Sequence, residues 1–252
     1  MIEFKNVTKK FGTTTALNDI SFTIEDGKIF GLIGHNGAGK TTAINILVSI
    51  LNQTAGEVYV NGDLLSSHRE AIKKEIGYVA DSPNVFLRLQ AKEYWELMGQ
   101  AYEISEDQFA KRLEYYTDLF NIQENADELI ESFSHGMRQK TFLIGALLSS
   151  PDIWVLDEPM TGLDPQAMFD LKQLMREHAD KGKIVLFSTH NLEHAQELCD
   201  QIVILKQGNI LYDGTIEDLQ AQNEQESLET IYLKLTGRKA DEEVENENGD
   251  LE

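Results

Sequence analysis

Apolar and polar positions divide the chain into stretches of period two and stretches of period three to four. Ile2 and Phe4, then Ile20, Phe22 and Ile24, alternate with polar residues and predict half-buried strands. Ile29-Phe30-Gly31-Leu32-Ile33 is apolar throughout, as in a strand covered on both faces, and residues 41–51 read as a helix leading out of the loop that follows it. Val58-Tyr59-Val60 runs into Asn61-Gly62, a hairpin signal, and Ile76-Gly77-Tyr78-Val79 is another short strand. From residue 85 to 150 the pattern turns helical, with Phe109, Leu113, Tyr116 and Phe120 at spacings of three and four. Apolar strands return at Ile153-Trp154-Val155-Leu156 and Ile184-Val185-Leu186-Phe187, with a helix between them that carries Leu171, Leu174 and Met175 on one face. Residues 202–205 and 210–212 flank Gln207-Gly208-Asn209 and predict a second hairpin. This order predicts an α/β fold with a mostly parallel core sheet and an antiparallel β portion at the N-terminus. A helical subdomain over about residues 82–150 is inserted in the core, and a helical segment over about 215–236 completes a domain spanning 1–236.

Composition narrows the partners. The 252 residues carry 22 Lys and Arg against 43 Asp and Glu, a net charge of −21. Residues 238–252 hold seven acids and two bases, so the body without them is still at about −16. That balance argues against nucleic acid, whose affinity comes mainly from basic residues on phosphates, and against electrostatic attachment to anionic lipid. The tail over 237–252 has almost no apolar content and is expected to be disordered. No apolar run approaches the roughly 20 residues of a membrane span, and Met1-Ile2-Glu3-Phe4-Lys5 is unlike a signal peptide. The expectation is a cytoplasmic protein whose membrane contact comes only through a partner. The single Cys199 allows no internal disulfide and, with Leu192, Ala195 and Leu198, belongs to a helical apolar pattern that suggests core packing.

Chemistry concentrates first in Gly34-His35-Asn36-Gly37-Ala38-Gly39-Lys40-Thr41-Thr42, which matches G-x-x-x-x-G-K-[ST] between a strand and a helix. Gly34, Gly37 and Gly39 remove side chains where a backbone must wrap phosphates, and the N–H groups of the loop and helix start face the anion. Lys40 supplies a point charge to the β- and γ-phosphates, and the Thr41 hydroxyl a ligand for Mg²⁺. His35 fills a variable position, so only its backbone is expected to function. A second motif lies 117 residues further on: the strand ending in Leu156 runs into Asp157-Glu158. Carboxylates at the C-terminal end of a central strand lie where ligands bind open α/β sheets. Asp157 is expected to hold Mg²⁺ and Glu158 to act as general base on the attacking water.

Further stretches carry a family resemblance. Ser132-Phe133-Ser134-His135-Gly136-Met137-Arg138-Gln139-Lys140 resembles the ABC signature, usually Leu-Ser-Gly-Gly-Gln. Glu158-Pro159-Met160-Thr161-Gly162-Leu163-Asp164-Pro165 resembles the D-loop region, and Ser188-Thr189-His190 the H-loop. In this order, over roughly residues 1–215, the chain resembles ATP-binding subunits of ABC transporters. The resemblance implies an ABC-type P-loop NTPase fold, ATP and Mg²⁺ as ligands, and ATP hydrolysis by two subunits packed head to tail. It also implies a separate membrane permease. Ser134, His135, Gly136 and Met137 would cap the γ-phosphate bound by the partner subunit's P-loop, His190 would contact the γ-phosphate and water, and Phe11 would stack on adenine.

The sequence departs from the family pattern in places. The signature has Phe133 for Leu, His135 for Gly and Met137 for Gln, and Asp81 stands at the Q-loop position where a glutamine is usual. Asp81 is shorter and charged, able to reach Mg²⁺ or a water. These departures resemble bacterial exporters with a separate permease chain. Two alternatives stay open. A soluble ABC ATPase acting on ribosomes or DNA would bring tandem cassettes, a long coiled-coil insertion or a basic surface, and the sequence has none. A regulatory switch that holds ATP with little turnover is opposed by Glu158 and His190 and left open by Asp81. Val85, Phe86, Leu87, Tyr94 and Trp95 form an apolar cluster beside Asp81, part of which is expected to be an exposed patch that docks a permease helix, with Trp95 as suited to core as to groove. His68, His178 and His194 read as surface or helix residues.

Overall fold

The computed structural model describes residues 1–81, 86–223 and 226–237. Strand β1 (Ile2–Phe11), β2 (Thr14–Ile24) and β3 (Ile29–Ile33) precede helix α1 (Lys40–Leu47). Next come β4 (Ala55–Val60), β5 (Asp63–Leu64), α2 (Arg69–Glu75) and β6 (Ile76–Val79). The inserted helices are α3 (Ala91–Ala101), α4 (Glu106–Leu119) and α5 (His135–Leu148). The core then resumes with β7 (Ile153–Asp157), α6 (Pro165–Asp180), β8 (Ile184–Thr189) and α7 (Leu192–Leu198). Strands β9 (Gln201–Lys206) and β10 (Asn209–Gly214) and helices α8 (Ile216–Ala221) and α9 (Leu228–Thr236) follow.

The strands form two sheets. One is antiparallel in the order β2-β1-β4-β5; the other runs β10-β9-β3-β8-β7-β6 and is parallel except for the β9–β10 hairpin. The continuous apolar runs of β7 and β8 are period-two strands with both faces covered. Ile153, Val155, Ile184 and Leu186 face the cluster shared with the antiparallel sheet, while Trp154, Leu156, Val185 and Phe187 face the cluster under the inserted helices. Phe22 of the antiparallel sheet stacks on Phe4 at 4.4 Å and on Phe30 of the parallel sheet at 5.5 Å, so aromatic rings join the sheets. Both predicted hairpins form with the positive φ their turns require, at Asn61-Gly62 and Gln207-Gly208.

The pattern misses α2, because Ile72 is its one buried residue and a single apolar position has no period. The expected docking patch needs correction. Tyr94 and Trp95 are buried in the core of the helical block, where Trp95 Nε1 donates to the Thr141 carbonyl at 3.0 Å. The ring of Tyr94 occupies the space a side chain on Gly145 would fill, with Cε1 2.5 Å from where a Cβ would stand. Phe86 and Leu87 pack half-buried against the same cluster. Val85 and the tail over 238–252 lie outside the described residues. Cys199 sits just past α7 rather than within it, with Sγ lying over Gly31, which has no side chain to displace it.

His178, in the last turn of α6, is buried beside Trp154 with ring centroids 5.7 Å apart. Burial, then the nearby Lys183 and Lys181, push its pKa down to about 4 against the opposing pull of Asp152. An unfolded chain therefore takes up this proton near pH 6.5 and the folded chain only near pH 4, so stability falls as pH drops through that window. His178→Leu is expected to flatten the loss by on the order of 2 kcal/mol between those pH values in urea unfolding, once partial solvation is allowed for. Equal pH slopes for wild type and variant would remove His178 from the linkage.

Candidate functional site

The loop between β3 and α1 is held at both ends by the parallel sheet. Gly34 N–H donates to the Thr189 carbonyl at 3.3 Å and Gly208 N–H to the Ala38 carbonyl at 2.9 Å. Gly37 and Gly39 take φ of 80° and 114°, values that favour glycine. A Cβ on Gly34 would stand 2.6 Å from the Leu205 carbonyl oxygen, so the loop passes too close to β9 for any side chain. Helix α1 begins with Lys40, Thr41 and Thr42 and has no acidic residue in its first turn, leaving its positive end available to an anion.

Lys40 is buried. Its ammonium donates to the Gly34 carbonyl at 2.6 Å and lies 3.2 Å from Glu158 Oε1. That carboxylate oxygen is itself buried and makes no hydrogen bond, so the pair is held by charge rather than by hydrogen-bond geometry. The other oxygen, Glu158 Oε2, lies 3.0 Å from His190 Nδ1. Glu158 has φ of +49°, a left-handed value that costs a non-glycine residue on the order of 1 kcal/mol or more. The turn is supported by Glu158 N–H donating to Ser188 Oγ at 3.1 Å, and Ser188 Oγ donates in turn to Asp157 Oδ1 at 2.5 Å.

Asp157 is almost fully buried at the end of β7. Burial raises its carboxyl pKa, hydrogen bonds from Ser188 and Thr41 oppose the rise, and the charges of Asp81 and Glu158 add to it. Asp81 therefore reaches the same field from the end of β6. Tyr78 does so too, its phenol pKa raised by burial and then by Asp157 and Asp81. Among the described residues no group of three or more His, Cys, Asp or Glu could hold a metal alone. Thr41 and Asp157 could supply part of a Mg²⁺ shell whose remainder is water and phosphate oxygen, the usual arrangement for that ion.

These residues open on a cleft of about 480 Å³ lined by residues 35–42 with Asp81 and Glu158, and by Thr14, Thr15, Ala16 and Gln207. Its buried cation, glycine-lined loop and free positive helix end fit a polyphosphate. Phe11 stands 47% exposed at the end of β1, paired with Thr14 at the rim. Sequence reasoning passed over Gln207, which sits in a hairpin turn with no local signal. Thr14 to Ala16 had one, the Phe11-Gly12 turn just before them, where Gly12 takes a φ of 57°.

None of Ser134, His135, Gly136 or Met137 lines this cleft. Ser134 caps α5 by accepting from Met137 N–H at 3.3 Å. The start of α5 is tied instead to the loop after Glu158. Gln139 Nε2 donates to the Pro159 carbonyl at 3.2 Å and Lys140 pairs with Asp164 at 2.7 Å. Asp164 also caps α6 through Ala167 N–H, and Lys140 holds its carboxyl below the usual range. The His135 ring covers Gly162, whose carbonyl oxygen is 2.3 Å from where a Cβ on Gly136 would be.

An ABC transporter family model matches residues 17–161. The chain is 33% identical over 245 residues to the ABC-type transporter ATP-binding protein EcsA of Bacillus subtilis, covering 96% of this chain and 99% of that protein. It is 32% identical over 213 residues to the Nod factor export ATP-binding protein I of Burkholderia lata, covering 84% of this chain and 70% of that protein. Among solved structures it is similar to a dimeric ATP-binding cassette in a post-hydrolysis state, bound to ADP and phosphate. There the TM-score is 0.77 at 26% identity, over 86% of this chain and 99% of that one.

Gly136→Ala tests the tie between α5 and the loop after Glu158. The added methyl meets backbone, not a flexible side chain, so a loss of about 1–3 kcal/mol in urea unfolding is expected. An unchanged midpoint would mean that the Gly162 carbonyl moves aside freely.

Proposed function

The chain belongs to the ABC transporter family as an ATP-binding subunit, and from that premise we propose that it hydrolyses ATP within a subunit dimer and drives a separate permease chain in the direction of export. The observation that carries the reading is the convergence of Lys40, Thr41, Glu158 and Asp81 at one glycine-lined cleft, with the buried Asp157 hydrogen-bonded to Thr41 and His190 on Glu158. The export direction is supported by the likeness to a Nod factor export protein and by the form of the signature.

In this reading the loop N–H groups and the positive end of α1 bind the phosphates, and Lys40 turns from Glu158 toward them. Phosphate then takes over as the anion beside the buried ammonium, which frees Glu158 Oε1 to accept a proton from water. The Ser188 hydroxyl holds the backbone of Glu158, and His190 holds the other carboxylate oxygen. Thr41 and Asp157 would hold Mg²⁺, which would neutralise charge on the phosphates. Ser134 at the cap of α5 contributes from the second subunit, since the same chain keeps it away from its own cleft. Phe11 offers its exposed ring to the adenine. Contact with the inner face of the membrane runs through the permease; among the described residues no helix is long and apolar enough to cross.

Glu158→Gln is expected to keep nucleotide binding and to lower phosphate release by about 10²- to 10⁴-fold, because the amide keeps the shape and cannot take the proton. Undiminished turnover would reject Glu158 as the base. Asp81→Ala is expected to weaken stimulation of the ATPase by permease more than it weakens ATP affinity. Full fold-stimulation with lost affinity would make Asp81 a phosphate-site residue only and withdraw the coupling role.

A further inference from the structure

The tip of the phosphate loop touches α9, and we propose that Tyr232 is a positioning residue for ATP binding that acts on the loop through His35. The inference rests on the ATP-binding reading above. The loop is pinned at its ends, Gly34 to Thr189 and Ala38 to Gly208, while His35, Asn36 and Gly37 between them are exposed. The tip is closed by Ala38 N–H donating to the His35 carbonyl at 3.0 Å, but Gly37, at φ of 80°, has nothing within 4 Å of where a Cβ would stand, so little packs against it there. Ordering such a segment when phosphate arrives costs conformational entropy.

What reaches the tip is the edge of an aromatic pair. The His35 and Tyr232 rings lie 5.2 Å apart at 68°, an edge-to-face arrangement. Tyr232 is buried in a cluster with Leu228 and Ile231 of α9 and with Ile33, the residue before the loop. Helix α9 is docked a second time at its end, where Lys206 Nζ donates to the Thr236 carbonyl. The next residue, Gln207, lines the nucleotide cleft. Between loop and helix lies a cavity of about 240 Å³ bordered by His35, Ala38, Lys206, Tyr232 and Thr236. The loop is therefore not packed solidly from behind, and the ring pair crosses the gap as a brace. A loop held in its binding shape in advance loses less freedom on binding, so the brace acts on affinity and not on the chemical step.

The full chain is compared with Tyr232→Ala, Tyr232→Phe, His35→Ala and the double alanine variant, measuring equilibrium Kd for ATP, kcat at saturating ATP, and Tm. Tyr232→Ala should raise Kd roughly three- to tenfold, the range of one aromatic pair, with kcat within about twofold of wild type. Tyr232→Phe keeps the ring and should keep the wild-type Kd. His35→Ala should raise Kd as Tyr232→Ala does, and the double variant should add little to either single change. If wild type binds ATP and Tyr232→Ala binds it equally well, or if the two alanine effects add in full, the brace is wrong and the ATP-binding reading stands. Should Tyr232→Ala fail to fold, an unchanged Kd in His35→Ala overturns the brace by itself. A wild-type chain that binds no ATP overturns the ATP-binding reading and the brace with it.

Discussion

A buried ammonium must have anions or carbonyls around it, and the site depends on how Lys40 meets that demand. Its partners come from separate parts of the chain: the Gly34 carbonyl from the loop after β3, and Glu158 from the turn after β7. Bringing them together requires β3, β7 and β8 to lie parallel and adjacent, with their C-terminal ends level. Leu156 pairs with Phe187 and Asp157 with Ser188, while Ile33 pairs with Thr189. That register sets Glu158 against Ser188 and His190, and it explains why the acid tolerates a left-handed φ. The strain is offset by a hydrogen bond to its N–H and contacts at both carboxylate oxygens.

Lys40 and Glu158 satisfy one another's charge. In the proposed reading a polyphosphate competes with Glu158 for the ammonium. Asp157 adds negative charge that burial leaves poorly screened, and the exposed Asp81 adds to the same field. A divalent cation arriving with the nucleotide relieves that field, and this is the physical reason ATP and Mg²⁺ suit the site jointly in the proposed reading.

The start of α5 and the loop after Glu158 behave as one piece. Gly136 against Gly162, Lys140 with Asp164, and Gln139 with Pro159 join them at three points. The departures in this stretch become intelligible on the same grounds. His135, where the family has glycine, packs over Gly162; Gly136 is retained where any side chain would strike backbone. These ties join the base-bearing loop to the surface that would face a second subunit in the proposed dimer.

Much of the architecture was legible from pattern alone. Doubly covered strands such as β7 and β8 read as continuous apolar runs, and turns such as Asn61-Gly62 carry their own backbone requirement. The glycine-rich loop over 34–42 and the Asp157-Glu158 pair stood out in the sequence because the chemistry proposed for them needs fixed residue types at fixed spacing. Other features were decided by tertiary contact between distant segments, which leave no local period. Tyr94 and Trp95 went to the core because Gly145 and Thr141 of α5 received them, not because of any signal in α3. Gln207 reached the cleft through the pairing of β9 with β3. His35 looked like a variable position until α9 placed Tyr232 against its ring. Sequence determines which chemistry a loop can perform; only the folded chain decides which distant side chain steadies it, because that contact is a property of packing.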